Sequence, residues 1–450
     1  MSGLDRTRPP PSGEIRHFDF PEVQTGALPN GLDLRICMLP RLPIVSVNLF
    51  LRAGEGSLAE GRAGTAVLTG DALEGGTRQR SGSDLAEALE GIGARLGVST
   101  GWEGTSISVS VLADRLPEAF SLLAEVVLEP DFPSVEVDRV REQRLAEIRQ
   151  RSMDPSALAS DEASRRYYAE GLPYARPQGG TEASIRSVTR DHIRGYADAC
   201  YQPGCGGLVV VGDIDPDQIR SLSGEHFGAW VGSPSVVDDF CVNPETRERR
   251  VWILDRPGSV QSELRVGHVG VARTTPDYLP LSIANLLFGG TFTSRLNLNL
   301  REQHGFTYGV RSRFSFRSRP GPFTVSTAVG NDVTAPAVRE ILTELETLVR
   351  DGPTEEEVDA ARDYAAGVFG LHLETAGQIA SRLNQIIVYG LPDDYYHLYR
   401  DNMRAVSTDE VTAAVRAHVR PDEVQVIIVG DADSILSSVE ALALGPLQVV

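Results

Sequence analysis

The feature that most limits what this chain can fold into is that it repeats itself. Residues 188–215, VTRDHIRGYADACYQPGCGGLVVVGDID, align without a gap with residues 406–433, VSTDEVTAAVRAHVRPDEVQVIIVGDAD, at an offset of 218. Val188 meets Val406, Asp191 meets Asp409, Pro203 meets Pro421, and Gly212-Asp213 meets Gly430-Asp431. Upstream, Leu73-Glu74-Gly75-Gly76-Thr77 matches Leu287-Phe288-Gly289-Gly290-Thr291 at an offset of 214. A chain self-similar over so long an offset is two copies of one folding unit. The predicted organisation is a polar, Pro-rich tail over 1–16, a first copy over 17–232, a linker over 233–248 and a second copy over 249–450.

The local patterns set the class of that unit. Leu116, Phe120, Leu123 and Val127 recur at helical spacing, as do Val338, Ile341, Leu342, Leu345 and Val349. Each set predicts an amphipathic helix with one core face. IVSVNLFLRAG over 44–54 and TSISVSVL over 105–112 alternate at period two and predict half-buried strands. LVVVGDI over 208–214 is continuously apolar and predicts a central strand and turn. Asp215 and Asp433 are expected to cap the helices that follow rather than to hold a metal. The fold class is α+β: two homologous domains, each a mostly antiparallel sheet with helices packed on one face.

Composition narrows the function. In 450 residues, 43 basic side chains face 62 acidic ones, a net charge of −19. A phosphate-binding chain is expected to be basic, so a nucleic-acid partner is disfavoured and a cationic or neutral polypeptide fits better. Every basic residue is Arg, which removes Schiff-base lysine and the lysine of a phosphate-binding loop. No apolar run reaches the roughly 18 residues of a membrane span. Cys37, Cys200, Cys205 and Cys241 form no C-x-x-C pair and are expected as buried thiols. The N-terminus has no apolar signal region, which makes cytoplasm the default location.

The usual catalytic motifs are missing. The eight His residues are scattered, and no helix carries two of them one turn apart with a Glu. GEGSLAEG (54–61) and GGTFTS (289–294) match neither nucleotide-loop pattern, and no G-x-S-x-G nucleophile turn occurs. The residues alone give a duplicated α+β protein with no visible catalytic centre.

The motifs taken in order carry a resemblance. ALPNGLDLRI (27–36), VSVNLFLRAG (45–54), GTAVLTGDALEGGT (64–77), DRPGSVQSELRVG (255–267) and TSRLNLNLREQHGFTYGVRSRF (293–314) resemble the insulinase-like M16 metallopeptidases, the M16B branch best. The resemblance runs over about 25–450, and a family chain of two homologous domains matches the duplication. The family's zinc helix reads approximately G-L-A-H-F-L-E-H-x-x-x-x-G-T. Here Val67 stands at the first His, Gly70 at the base Glu and Asp71 at the second His. Glu147, 76 positions after Asp71, matches the distal Glu ligand, and Gly97 replaces the Asn of a downstream pattern. Val67 has no lone pair, Gly70 cannot act as a base, and two carboxylates without imidazole make a poor zinc site.

The resemblance implies a role for the second copy. Arg301 and Tyr308 match the family's Arg and Tyr seven residues apart, which hold substrate backbone and steady the developing oxyanion. Residues 293–303 are expected as a helix, Gly305 as its left-handed stop and FTYGVRSRF as a strand, with both side chains aimed at one spot. Read without the family, Arg301 suits a helix C-terminus, Tyr308 alternates with core residues and His304 is a solvent-facing turn residue. The chain is thus expected to bind no metal or cofactor itself. An HxxEH-bearing M16B subunit of similar size would hold the zinc, and a peptide or unfolded polypeptide would be the substrate. A cationic peptide is expected to be drawn by the net charge. The alternative is a catalytically inactive scaffold or peptide-binding protein.

Overall fold

The structure is a computed structural model that describes residues 18–232, 240–242 and 248–450. The predicted tail over 1–16 and most of the predicted linker lie outside the described residues. Among the described residues, twelve strands form two sheets of six. The first holds β1 (Val23–Ala27), β2 (Asp33–Met38), β3 (Ile44–Leu51), β4 (Arg95–Thr100), β5 (Thr105–Leu112) and β6 (Gly206–Gly212), in the order β1-β2-β6-β3-β5-β4. The second holds β7 (Arg250–Asp255), β8 (Gln261–Val269), β9 (Val310–Phe314), β10 (Pro322–Gly330), β11 (Gln425–Gly430) and β12 (Leu447–Val449), in the order β12-β7-β11-β8-β10-β9.

The sheets are copies in register as well as in order. β2 runs parallel to β6 with Met38 opposite Gly212, and β7 runs parallel to β11 with Asp255 opposite Gly430. The next three strands of each sheet pair antiparallel. Only the edge differs: β1 pairs antiparallel to β2, whereas β12 pairs parallel to β7. The two predicted amphipathic helices are Leu116–Leu128 and Thr334–Asp351, and each buries its apolar stripe in its own domain's core.

The opposite face of each sheet is covered by the other domain. After β5 and after β10 the third long helix leaves its own unit: Pro155–Tyr167 from the first, Ala376–Tyr389 from the second. Ile379, Leu383, Ile386 and Ile387 pack on Cys37, Phe50, Val209 and Val211 of the first sheet. Reciprocally, Ala163 and Tyr167 pack on Trp252, Val269 and Ile427 of the second. Arginines fasten both helices. Arg52 donates to the Ile387 and Val388 carbonyls at 2.6 and 3.0 Å, where a helix C-terminus favours a cation. Arg265 donates to the Ser156 carbonyl at 2.9 Å and hydroxyl at 2.6 Å.

This exchange changes the expected burial of β3. The strand is buried along nearly its whole length instead of on alternate residues, because the helix from the other domain closes its outer face. β5, beyond that helix, keeps the alternation. The exchange also makes a test. Ile427 and Ile428 point to opposite faces of β11, yet both are fully buried. Ile427→Val and Ile428→Val should each cost about 0.5–1.5 kcal/mol in denaturant melts. A near-neutral Ile427→Val would mean that the outer face is not a core.

Three smaller expectations are revised. Asp215 caps Pro216–Phe227 as expected, accepting from Asp217 N at 3.0 Å. Asp433 is not a cap: the corresponding helix is Ala432–Glu440, with Asp431 at the cap position. Copy two lacks the proline that fixes the helix start at Pro216, and Asp255 accepts from the first helical N–H, Ala432, at 3.0 Å. Of the thiols, Cys37 and Cys205 are buried, Cys200 is half-buried, and Cys241, in the linker, is exposed. The linker is not wholly solvated either, since Val242 is buried in the Trp252 cluster.

Candidate functional site

Arg301 and Tyr308 line one cavity of about 860 Å³. It is bounded on one side by Ser160, Ser164 and Tyr167 of the exchanged helix and on the other by the outer face of β8, β9 and β10. The local chain path explains how both residues reach it. The helix continues to Gln303, its last stretch, Asn297–Gln303, being π-helical. Gly305 has φ +66°, so the chain reverses there as expected. Its N–H donates to the Arg301 carbonyl at 3.1 Å, and Phe306 N–H to Leu300 O at 2.8 Å.

Asn297 then pins the return. Its amide donates to Val310 O at 2.9 Å, and its oxygen accepts from Val310 N at 3.2 Å. Thr327 donates to Gly309 O at 3.0 Å. The strand therefore starts at Val310, four residues into the expected FTYGVRSRF segment. Tyr308 falls in the bend before it and escapes the pleat, so it does not face the core with Val310 and Phe314. Its side chain is 97% exposed. Arg301 lies with its guanidinium 4.1 Å from the ring centre of Phe292, itself an exposed aromatic, and 3.5 Å from Glu302. His304 is an exposed turn residue, as expected, and its ring stacks on Phe306 at 4.9 Å.

The residues matched to the family's metal site also come together, in a second, smaller pocket of about 330 Å³. Val67, Gly70 and Asp71 line it from the helix Thr65–Asp71, and Arg144 and Glu147 from the helix Ser134–Met153. The donor set does not suit zinc. Val67 and Gly70 offer nothing, and Arg144 donates to Glu147 Oε2 at 3.0 Å while Gln143 donates to Oε1 at 3.2 Å. A guanidinium thus sits beside the carboxylates that would face a metal. Burial raises the Asp71 carboxyl above its ordinary value; Arg144 opposes this, and Glu147 and Glu74 add to it. Because Asp71 is exposed by surface area, water screens these effects. Among the described residues, no three His, Cys, Asp or Glu side chains converge to hold a metal.

The same helix shows what the sequence did not. Glu55, inside the Gly-rich loop, is fully buried. Its carboxylate accepts from Gly64 N at 2.9 Å and Val67 N at 3.1 Å, so it anchors the start of the Val67 helix. Burial pushes this carboxyl up to about 7, with the two backbone donors and nearby Arg176 opposing. An acid raised in the fold stabilises it below its unfolded value of 4.5, and that contribution is lost as pH rises through about 7. The melting temperature of the wild type should therefore fall more steeply between about pH 5 and pH 8 than that of Glu55→Gln. Equal slopes would show that Glu55 does not titrate there. Arg144, Phe292, Arg311 and Arg313 were missed as well. The signals available were an Arg at i−3 from Glu147 and the Arg-Ser-Arg alternation at the start of β9.

Comparison with known proteins identifies the fold and the family. The model for insulinase (peptidase family M16) matches residues 40–177, and that for the peptidase M16 inactive domain matches 187–364. A Mycobacterium tuberculosis protein described as an uncharacterized zinc protease is 30% identical over 397 residues, 86% of this chain and 89% of its own. The Helicobacter pylori protein described as non-peptidase homolog YmxG is 25% identical over 398 residues, 87% of this chain and 90% of its own. The crystal structure of a peptidase M16 inactive domain from Pseudomonas fluorescens superposes with a TM-score of 0.86 at 26% identity, over 91% of this chain and 98% of that one. With its duplicated six-stranded sheets and a full-length relative of this similarity, the chain belongs to the M16, insulinase-like peptidase family.

Proposed function

We propose that this chain is the metal-free subunit of a cytoplasmic, two-chain M16B peptidase. Arg301 and Tyr308 hold the backbone of a bound polypeptide and donate to its carbonyl oxygen as negative charge gathers there. The zinc and the base Glu belong to an HxxEH-bearing subunit of similar size. The observation that carries the reading is the position of Tyr308. A phenol that is 97% exposed, held on a pinned bend on the wall of the cavity that Arg301 also lines, has no packing role to explain it. The poor donor set around Val67 and Gly70 supports placing the metal elsewhere.

The test compares hydrolysis of an unfolded protein by this chain alone and by the chain with its companion subunit. Chelator-sensitive cleavage is expected from the pair and not from the chain alone. Substantial chelator-sensitive activity from the chain alone would overturn the proposal. A second reading, an inactive scaffold or peptide-holding protein, is favoured by the relative described as a non-peptidase homolog. In that case the cavity holds a polypeptide without cutting it, and substitution of Arg301 or Tyr308 leaves any associated activity unchanged.

A further inference from the structure

The cavity beside Arg301 and Tyr308 has a charge opposite to that of the chain around it. Among the described residues its wall includes Arg265, Arg301, Arg311 and Arg313 and no Asp or Glu, in a chain of net charge −19. Strand geometry produces this. Val310, Ser312 and Phe314 of β9 are buried toward the core, so Arg311 and Arg313 project from the opposite face, into the cavity. Arg311 stands across from Ser326 of β10, and Ser326 stands across from Arg265 of β8. A row of Arg, Ser and Arg thus crosses three strands.

The four cations are not equivalent. Arg265 is engaged with Glu263 at 3.0 Å and with the exchanged helix. Arg301 is held against Phe292 and Glu302. Arg311 and Arg313 are exposed, and among the described residues neither has an acidic partner. Two unpaired guanidinium groups on one concave wall focus a local positive field that the net charge of the chain conceals. They are also the side chains best shaped to grip carboxylates by paired hydrogen bonds.

We propose that this cavity binds an acidic polypeptide segment, whose Asp or Glu side chains meet Arg311 and Arg313 while its backbone passes Arg301 and Tyr308. The proposal rests on the reading that Arg301 and Tyr308 face substrate. It reverses the preference for cationic peptides expected from net charge alone. Exposed Phe292 and Tyr308 and the hydroxyls of Ser164, Thr324 and Ser326 give the wall the mixed surface that a peptide needs and a lone anion does not.

The test uses the full chain without any companion, so that it stands apart from the question of catalysis. Three labelled nonapeptides are titrated by fluorescence anisotropy, alternating Gly with Glu, with Gln or with Lys. The Glu peptide should bind roughly tenfold tighter than the Gln peptide, and the Lys peptide weakest. The double variant Arg311→Gln/Arg313→Gln, at exposed strand positions, should keep the wild-type melting temperature and lose the preference, while Tyr308→Phe should keep it. Equal binding of the three peptides, absence of binding, or a preference that survives the double variant would overturn the proposal. So would displacement of the Glu peptide by free glutamate at equal concentration, which would make the ligand a small anion. If the acidic preference fails while Arg301→Ala still abolishes cleavage in the two-chain enzyme, only the substrate class is wrong.

Discussion

Arg301→Ala is expected to lower kcat of the reconstituted two-chain peptidase by roughly 10²–10³-fold, the usual cost of removing a donor aimed at a developing oxyanion. KM should change far less, because a donor that strengthens its contact as charge develops acts mainly on the transition state. Tyr308→Phe removes only a hydroxyl from a side chain that packs against nothing, so it should lower kcat without moving the melting temperature. If both donors serve one oxygen, as proposed, the two losses should not add. The readouts are steady-state kinetics together with co-purification of the subunits. Unchanged kcat with intact assembly would place the pair on an ordinary surface and favour the scaffold reading.

The second large effect concerns the small pocket lined by Val67, Gly70 and Asp71. The triple variant Val67→His/Gly70→Glu/Asp71→His restores the family's motif on paper, but it is expected to bind no stoichiometric zinc and to lose more than about 3 kcal/mol of stability. A Cβ on Gly70 would lie 2.4 Å from Thr100 Oγ1 and 3.3 Å from Val98 Cγ1. Thr100 cannot swing away without giving up its 3.0 Å contact with the Thr105 hydroxyl. Overpacking of this kind costs about 1–3 kcal/mol, and a carboxylate forced into the same gap adds its own desolvation. Arg144 would remain as a competing cation. Gly70→Ala alone isolates the packing: Ala is worth about 1 kcal/mol more than Gly inside a helix, so a net loss of stability must come from the clash. Metal analysis and denaturant melts decide the matter. A stable, zinc-loaded triple variant would show that the site lacks only its ligands.

How much of this was legible in the sequence depended on how local the signal was. The repeat of LVVVGDID in VIIVGDAD announced two equivalent central strands, and β6 and β11 occupy equivalent places in the two sheets. The heptad-like spacing of Leu116, Phe120, Leu123 and Val127 is a property of one helix and survived folding intact. The exchange of helices was not legible. The apolar residues Ile379, Leu383 and Ile386 say that a helix has a partner but not that the partner lies 170 residues upstream, at Val209 and Val211.

The candidate site divides the same way. Gly305 could be read locally as the stop between a helix and a strand, and its φ is positive, whereas Arg301 and Tyr308 were marked only by the resemblance to the family. The bend that frees Tyr308 could not, since it is set by Asn297 and Thr327 gripping the backbone at Gly309 and Val310. Glu55 was hidden for a related reason. Its partners, Gly64 N and Val67 N, are backbone groups, and no side-chain pattern in the sequence marks them.

The central claim is that this chain completes its site with a second, different M16 subunit, and the most direct measurement is the intact mass of the complex purified from the native host at native expression. The expected result is a stoichiometric assembly with one companion of similar size that carries HxxEH. A lone chain, or an assembly made only of copies of itself, would contradict it.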